Sequence, residues 1–328
     1  MDLPDDLRIG LEETLHTTTP KSLAHLAEDL SRRYRTGHAQ GKQAFLRSEE
    51  DIIAYAAYRL PATFAAIHAA LTEVKKRQPD LQLHTMLDAG AGPGTVVWAA
   101  TTLWPELERV VLLERDPHMI AYGKRLATHA RVPAIKEVRW QHVDLIGQWE
   151  HGAYDLVVAA YVLGELPQPT LDVLLSRLWS CTNGVLLLVE PGTPRGFSLI
   201  RHAREYLLSS GAKMVAPCPH NGTCPMPAHD WCHFAQRITR TRLQRAIKGA
   251  SLSYEDEKFS YVALSPRAGS PITGRVLRHP QKRSGHIHLE LCTPDGLKHT
   301  IVTRSQHTEF REAQDLHWGE AISEIAPE

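Results

Sequence analysis

Short apolar runs alternate with stretches of helical periodicity between residues 83 and 192. These runs predict five strands, at residues 83–88, 109–114, 138–144, 154–161 and 184–190, and the second, fourth and fifth are rich in Val and Leu. Helical stretches lie between them, as at Pro117 to about Ala130 and at Pro169 to Ser180. Buried strands that alternate with helices form a parallel sheet covered by helices on both faces. The pattern therefore predicts an α/β fold.

The N-terminal part of the chain, residues 1–80, has a helical pattern. Apolar residues recur at helical spacing in Ser22–Tyr34 and again in Asp51–Lys76. Pro61 lies inside the second stretch, where a proline is expected to kink or break the helix. We therefore expect an N-terminal helical region.

Beyond residue 192 the sheet is expected to continue and then to give way to a separate β structure. Lys213–Ala216 and Lys258–Leu264 are apolar and predict the last strands of the sheet, with a cysteine-bearing loop and a basic helical stretch inserted between them. The turn signal Thr293–Gly296 lies between two further strand patterns and predicts a hairpin. The predicted division is a helical region at 1–80, a sheet domain at 81–265 with an insert at 214–250, and a small C-terminal β appendage at 266–328.

The composition and the first residues of the chain bear on its cellular location. Hydrophobic residues make up 43% of the 328 residues, enough for a sizeable core, and no apolar run approaches the roughly 20 residues that a membrane span needs. The segment Met1–Asp6 is acidic and suggests neither a secretory signal nor an Arg-rich transit peptide. From these features we expect a cytoplasmic protein without a membrane segment.

Charge is balanced over the chain but segregated locally. Lys and Arg total 37, as do Asp and Glu, so a nucleic-acid surface would have to come from local clusters. Two stretches, 233–250 and 267–285, contain basic residues and no acid, and either could be a solvated basic face or a contact surface for the phosphates of structured RNA. The candidate RNA-binding residues are Arg237, Arg240, Arg242, Arg245, Lys248, Arg275, Arg278, Lys282 and Arg283.

A glycine-rich loop follows the first predicted strand and opens a helix. It contains Asp88, Gly90, Gly92 and Gly94, and glycines there let the backbone turn sharply and approach a ligand closely. The spacing is neither the dinucleotide motif G-x-G-x-x-G nor a P-loop, because the third glycine comes one residue early and no Lys-Ser/Thr follows.

Acidic residues follow the next two predicted strands. Glu114 comes 20 residues after Gly94 and could accept hydrogen bonds from a ribose diol, and Asp144 could meet an adenine amino group. A structural turn with three helix caps is the plainer interpretation. In combination the pattern resembles class I S-adenosylmethionine-dependent methyltransferases, whose Rossmann-like fold we therefore expect, with Asp88, Gly90, Gly92, Gly94, Glu114 and Asp144 as the cofactor-binding residues.

The catalytic half of such a site is less clear. Neither N-P-P-Tyr nor a catalytic Pro-Cys stands in the segment 154–166, where a nucleobase methyltransferase would carry one. Tyr161 and Glu165 could orient a substrate, but a buried tyrosine and a helix-start acid are the simpler interpretations. No catalytic residue is therefore predicted.

Three of the five cysteines, Cys218, Cys224 and Cys232, fall within 15 residues. Soft thiolates in a loop suit zinc or an iron–sulfur cluster, and the spacing leaves both open. Cys292 could be the fourth ligand, and the alternative fourth ligands are His220, His229 and His233. Three unliganded thiols are the remaining alternative.

The chain resembles one family over nearly its whole length, the mitochondrial ribosomal small-subunit protein of the twenty-two type and its bacterial relatives, a methyltransferase-like small-subunit assembly factor family. The resemblance rests on the segments Tyr55–Thr63, Asp88–Thr95, Val189–Pro194, Ala216–His220, Trp231–Phe234 and Tyr254–Tyr261. It implies a class I methyltransferase domain and a 4Fe–4S cluster on Cys218, Cys224, Cys232 and Cys292. It also implies binding to the small ribosomal subunit during assembly, with rRNA as the partner and rRNA methylation as a candidate activity.

Three functions follow as hypotheses. The first is an S-adenosylmethionine-dependent methyltransferase that acts on small-subunit rRNA. The second is a non-catalytic assembly factor, which the absence of a recognisable base-activating residue favours. The third is a methyltransferase of a non-RNA substrate with a structural zinc, which leaves the basic stretches unexplained. No DNA partner is expected.

Overall fold

The computed structural model describes residues 1–15, 25–26, 49–149, 151–240, 244–245, 248 and 251–322. The predicted helix Ser22–Tyr34 lies outside these residues apart from His25 and Leu26, and Arg242 lies outside them as well. No helix within the described ranges combines the length and apolar character needed to cross a bilayer.

A mixed sheet of eight strands forms the centre of the molecule. Its strands are β1 (Thr85–Ala89), β2 (Arg109–Glu114), β3 (Arg139–His142), β4 (Tyr154–Ala160), β5 (Thr182–Pro191), β6 (Lys213–Ala216), β7 (Phe234–Thr239) and β8 (Tyr254–Ser265). Their order is β3-β2-β1-β4-β5-β8-β6, and β7 pairs with the first half of β8. The first five strands are parallel, and β8 runs antiparallel to β5 and β6.

Helices cover both faces of this sheet. In chain order they are α1 (Asp5–Leu15), α2 (Glu49–Arg77), α3 (Thr95–Leu103), α4 (Pro117–Ala127), α5 (Pro133–Lys136), α6 (Leu171–Ser180) and α7 (Pro194–Ser209). One apolar core lies under α2 to α5 and the other under α6 and α7. This arrangement confirms the predicted α/β fold of the class I methyltransferase type. Ligands of such sheets bind at the carboxyl ends of the strands, where the strand order reverses between β1 and β4.

A second, smaller sheet follows. It contains β9 (Gly274–Val276), β10 (Gln281–Arg283), β11 (His286–Thr293), β12 (Gly296–Thr303) and β13 (Ala321–Ile322), with the helix α8 (His307–Asp315) packed on one side. The hairpin predicted at Thr293–Gly296 is confirmed, because Thr293 pairs with Gly296 and joins β11 to β12.

Two local predictions need correction. Of the kink or break expected at Pro61, the break does not occur, since α2 runs through the proline. Its neighbours Leu60 and Phe64 are each only 1% exposed, so tertiary packing offsets the hydrogen bond that the proline removes. The basic stretch after Cys232 does not begin as a helix but as β7, because β8 offers it an antiparallel partner.

Candidate functional site

The glycine loop connects β1 to α3 at the carboxyl edge of the sheet. Gly90, Gly92 and Gly94 all have positive φ angles, of 76°, 54° and 82°. A Cβ on Gly90 would lie 2.6 Å from the Val162 side chain, whereas a Cβ on Gly92 would meet nothing within 4 Å. Gly90 is therefore required by packing, and the open space above Gly92 lets a ligand approach the backbone.

Asp88 lies directly beneath this loop and is fully buried. Neither of its carboxyl oxygens has a hydrogen-bond partner within the described residues. Burial, together with the nearby Glu114, raises the pKa of Asp88 well above its usual value. A buried carboxyl without a partner is costly, so this side chain is suited to a ligand that donates a hydrogen bond.

Glu114, the last residue of β2, holds the loop in place. Its Oε2 accepts a hydrogen bond from the Gly92 N–H at 2.7 Å, and its Oε1 accepts from the N–H groups of Arg115 and Asp116 at 2.9 Å. Burial raises the pKa of Glu114 against the effect of these bonds. Carboxylate oxygens have further acceptor capacity, so Glu114 can brace the loop and still accept from a ligand.

Asp144 is placed differently. It lies two residues beyond β3 and is exposed, and its Oδ1 accepts a hydrogen bond from the Ile146 N–H at 3.0 Å in a local turn. The structure therefore brings Asp88, the glycine loop and Glu114 together, while Asp144 stands at the surface of the same sheet edge.

A network that the sequence analysis did not identify lies at the end of β4. The Tyr161 hydroxyl donates to Glu257 Oε1 at 3.2 Å, and Arg59 Nη2 of α2 bonds to the same oxygen at 2.9 Å. The Arg59 guanidinium also stands 5.7 Å from the centre of the Tyr161 ring. Tyr161 has a φ of 59°, a strained conformation for a residue with a bulky side chain, of the kind that concentrates at functional sites. Arg59 and Glu257 both lie in segments that carry the family resemblance. That resemblance was the sequence feature that could have pointed to this network.

Two further carboxyl groups lie near this network. Burial raises the pKa of Glu190 to about 7, although its carboxylate accepts a hydrogen bond from the Leu163 N–H at 2.8 Å. Burial raises the pKa of Glu165 to about 7 as well, while Arg115, bonded to it at 3.1 Å, opposes the shift. Two further carboxyl groups with raised pKa values therefore lie at this edge of the sheet, Glu190 buried and Glu165 half-buried.

The four predicted cysteine ligands line a single cleft of about 590 Å³, which includes space open to solvent. Cys218 follows β6, Cys224 lies in the loop, Cys232 precedes β7 and Cys292 lies in β11. Burial and then the three other thiols raise the pKa of Cys232 well above its usual value, and burial raises that of Cys292 to about 12. The fold has therefore brought the thiols together across a long stretch of sequence.

The alternative histidine ligands are placed less uniformly. Nε2 of His220 lies 3.7 Å from the Cys292 sulfur. His233 is buried and its Nδ1 contacts the Trp231 carbonyl oxygen at 3.2 Å. Of the three, His220 is the one with a contact to a cysteine of the cleft.

Two buried arginines line the same cleft. Arg204 donates from Nη2 to the carbonyl oxygens of His220 at 3.0 Å and Gly222 at 2.7 Å, which braces the cysteine loop. Arg275 is only 1% exposed, and donates to the carbonyl oxygens of Pro217 at 2.9 Å and Gly319 at 2.7 Å. Nε of Arg204 and Nη2 of Arg275 have no partner among the described residues, so two buried cationic donors are left for an anionic group.

The basic residues predicted to bind RNA in the 233–250 stretch are largely neutralised. Arg237 bonds to Asp256 at 2.8 Å, and Arg240 and Lys248 both bond to Glu255. The register of β7 on β8 produces this arrangement, since Arg237 pairs directly with Asp256. The acid-free stretch in the sequence is therefore not an unpaired basic surface in the structure. Nε of Arg245 is buried.

The second basic stretch is divided between the interior and the surface. Arg275 is buried, and besides the bonds described above it pairs with Glu73, so its guanidinium does not face solvent. Arg278 bonds to Asp230 at 2.6 Å. Lys282 and Arg283 are exposed on β10. Among the predicted RNA-binding residues, these two remain at the surface without an ion pair within the described part of the chain.

Comparison with known proteins places the chain in a family. The family model described as mitochondrial small ribosomal subunit Rsm22 matches residues 49–323. The ribosome assembly protein METTL17, mitochondrial, of Homo sapiens is 31% identical over 84% of this chain and 63% of its own length. The Rsm22-cox11 tandem protein 2, mitochondrial, of Schizosaccharomyces pombe is 28% identical over 83% of this chain and 43% of its own length. The chain thus spans about three fifths of the first relative and less than half of the second.

Two solved methyltransferase structures have a likeness to this chain at low identity. Magnesium protoporphyrin IX methyltransferase of Synechocystis with bound S-adenosylmethionine is 14% identical, covers 72% of this chain and 90% of its own, and has a TM-score of 0.41. Ribosomal protein L11 methylase of Lactobacillus delbrueckii is 15% identical, covers 60% of this chain and 75% of its own, and has a TM-score of 0.37.

The predicted cytoplasmic location is contradicted by these comparisons, because the family and the relatives are named as mitochondrial. The predicted family, by contrast, is confirmed, because the family model covers most of the chain and the human relative is 31% identical over 84% of it. This chain therefore belongs to the Rsm22 family.

Proposed function

We propose that the chain binds S-adenosylmethionine at the carboxyl edge of its central sheet and acts in assembly of the small ribosomal subunit, where it contacts rRNA. The observation that carries the cofactor half is Asp88, whose buried carboxyl has no partner beneath an open glycine loop. Asp88 would accept a hydrogen bond from the ligand, Glu114 would accept from its ribose, and the backbone at Gly92 would allow its close approach. The names of the family and of the human relative support the ribosomal half.

Calorimetry with S-adenosylmethionine tests the cofactor half. Replacement Gly92→Val should abolish binding, because the valine side chain would occupy the space above the loop. Gly211→Val is the matched control, since Gly211 also has a positive φ, of 93°, and open space around its Cβ position, but lies in the turn before β6. Equal affinity in wild type and Gly92→Val would contradict the proposal. Equal loss in both variants would mean that backbone strain, rather than ligand space, is responsible.

The cysteine cleft is proposed to hold a 4Fe–4S cluster through Cys218, Cys224, Cys232 and Cys292. When bound, such a cluster with four thiolates carries net negative charge. Nε of Arg204 and Nη2 of Arg275 are buried N–H donors without a partner among the described residues, and both arginines line the cleft. They could donate to a negatively charged cluster, which supports a cluster at this position.

Zinc is the alternative to the cluster. Within the described ranges no group of three or more His, Cys, Asp or Glu side chains is placed to hold a metal ion, and this finding bears on zinc and on the cluster alike. The support for the cluster is therefore the shared cleft of the four cysteines and its two arginines. Metal analysis of anaerobically purified protein distinguishes the two, with iron and sulfide in similar amounts expected and zinc contradicting the cluster.

Methyl transfer to rRNA is a second candidate activity. The strained Tyr161 follows β4, next to the loop proposed to bind the cofactor, and its hydroxyl is held by Glu257. Tyr161 would orient a substrate base rather than activate it, because its hydroxyl already donates to a carboxylate. Incorporation of a labelled methyl group from S-adenosylmethionine into small-subunit RNA tests this candidate, and incorporation that Tyr161→Phe leaves unchanged would remove Tyr161 from the mechanism.

A further inference from the structure

The small C-terminal sheet has one covered face and one open face. Ile287 and Leu289 of β11 point to the covered face and pack with Phe310 of α8. His286, His288 and Glu290 alternate with them and point to the other face. In the described structure, helix α8 packs only against the covered face. The open face ends at Cys292, which continues the same alternation but is 7% exposed and lines the cysteine cleft. The part available to a partner therefore runs from His286 to Glu290.

Imidazole rings dominate the open face. His288 Nδ1 lies 3.2 Å from His299 Nε2 of the neighbouring strand β12, and the two ring centres are 5.2 Å apart. The ring of His286 is centred 5.0 Å from that of His288. Three planar rings are therefore contiguous on the surface formed by β11 and β12. We call these three histidines, together with Arg283 and Ile301, the histidine face.

The flanking residues complete this surface. Arg283 pairs with His286 across β10 and β11, and Ile301 pairs with His288 across β11 and β12, so both side chains share the face. Ile301 is 47% exposed although it is apolar. Glu290, at one end of the face, lies 3.9 Å from Nε2 of His299 and is the one acid of this surface within the described residues.

Histidine rings and arginine planes are groups on which unpaired RNA bases stack, and the sheet faces of common RNA-binding modules use them in this way. We propose that the histidine face binds single-stranded RNA, with bases stacked on His286, His288 and His299 and a phosphate held by Arg283. This inference rests on the proposed rRNA function and replaces the paired arginines of β7 as the main contact surface.

Charge supports RNA as the occupant. Arg283 is exposed and makes no ion pair within the described part of the chain, and the same holds for Arg304, which follows β12. By contrast, Arg237, Arg240 and Lys248 are neutralised by acids of β8. Partial burial and then the neighbouring His286 and His299 lower the pKa of His288, which favours the neutral ring that stacks on a base.

Fluorescence anisotropy with two labelled probes tests the proposal on the full chain. One probe is a short unstructured oligoribonucleotide from small-subunit rRNA, and the other is a duplex of the same composition. Wild type should bind the unstructured probe more tightly. The double variant His288→Ala, His299→Ala should weaken that binding by roughly tenfold or more, as stacked bases lose their platform. The variant His288→Tyr, which keeps a stacking ring, should retain binding.

Salt dependence separates stacking from phosphate contact. The alanine double variant should keep the slope of affinity against salt, whereas Arg283→Ala should reduce that slope by about one unit. Arg237→Ala is the matched control, because its guanidinium is paired with Asp256 and its loss should leave RNA affinity nearly unchanged. The histidines are at the surface, so a thermal melt should show that the double variant is folded.

Four results would overturn the proposal. Unchanged affinity in the alanine double variant removes the histidine face from RNA binding, and a loss confined to Arg237→Ala returns the contact to β7. A variant that binds the probe normally but fails to join small-subunit particles assigns the face to a protein partner. Absence of RNA binding by wild type overturns the proposed rRNA contact and this inference together, and is recognised because no variant then differs from wild type.

Discussion

The carboxylate of Glu114 at the end of β2 accepts a 2.7 Å hydrogen bond from the N–H of Gly92 in the loop that follows β1. This bond joins the end of β2 to the loop after the neighbouring strand β1, and its two residues are 22 positions apart in sequence. It fixes the open part of the loop, so the shape of the proposed cofactor site depends on an acid outside the glycine motif.

Loss of this brace should therefore weaken cofactor binding. Glu114→Ala removes the acceptor of the Gly92 N–H and of the N–H groups of Arg115 and Asp116. A buried N–H left without a partner costs about 1–3 kcal/mol, and the exposed Arg115 loses less because water can replace its acceptor. We expect S-adenosylmethionine affinity to fall at least tenfold by calorimetry. Asp144→Ala, at the exposed position, should have a smaller effect, and an equal loss in both variants would contradict the placement of Asp144 at the margin of the site.

The stability of the protein should fall as pH rises, in part because of Glu190. Burial raises its pKa from 4.5 to about 7, so between these values the folded chain holds a proton that the unfolded chain releases. The stabilisation is complete below about pH 4.5 and is lost as pH rises through 7, with a difference of about 3 kcal/mol. Glu190→Gln should flatten this part of the curve.

Urea unfolding between pH 5 and pH 8 measures the Glu190 effect. Glu312→Gln is the control, because Glu312 is exposed on α8 and its replacement should leave the pH dependence unchanged. If Glu190→Gln follows the wild-type curve, then another group causes the pH dependence.

The ion pair between Glu73 of α2 and Arg275 of β9 should be important for folding. Arg275 is 1% exposed, so Glu73→Ala leaves a buried guanidinium without its carboxylate, at a cost of about 3–5 kcal/mol. Lys76→Ala removes only the exposed partner of the same glutamate and should cost less than about 1 kcal/mol. Chemical denaturation of both variants checks this, and similar losses in the two would show that Arg275 finds another partner.

Cys292→Ser tests the proposed cluster. Cys292 is the one ligand contributed by the C-terminal sheet, and metal binding energy becomes folding energy when the ligands meet only in the folded state. The variant should lose iron and sulfide and should loosen the C-terminal sheet, measured as faster amide exchange in β11 and β12. S-adenosylmethionine binding should persist. Full loading of the variant would instead assign the fourth ligand to His220, whose Nε2 lies 3.7 Å from the Cys292 sulfur.

Local sequence was sufficient to predict the elements of the central sheet and the loop at its edge. Buried parallel strands are largely apolar, so β2, β4 and β5 were visible as runs rich in Val and Leu. The glycines between Asp88 and Thr95 were informative for a related reason, because the positive φ angles found there are open to few other residues. The hairpin at Thr293–Gly296 was equally local.

Relationships between distant segments could not be predicted in this way. The basic residues around Arg237 have no acid near them in sequence, yet the register of β7 on β8 places Asp256 and Glu255 against them. The network at the end of β4 joins three separate segments of the chain, through Arg59, Tyr161 and Glu257. The spacing of these residues in the sequence therefore does not predict that they meet. Pro61 stays helical because of its buried neighbours. Backbone periodicity is a property of neighbouring residues, whereas the partner of a charge is set by strand pairing and packing across the whole chain, and therefore it is decided when the chain folds.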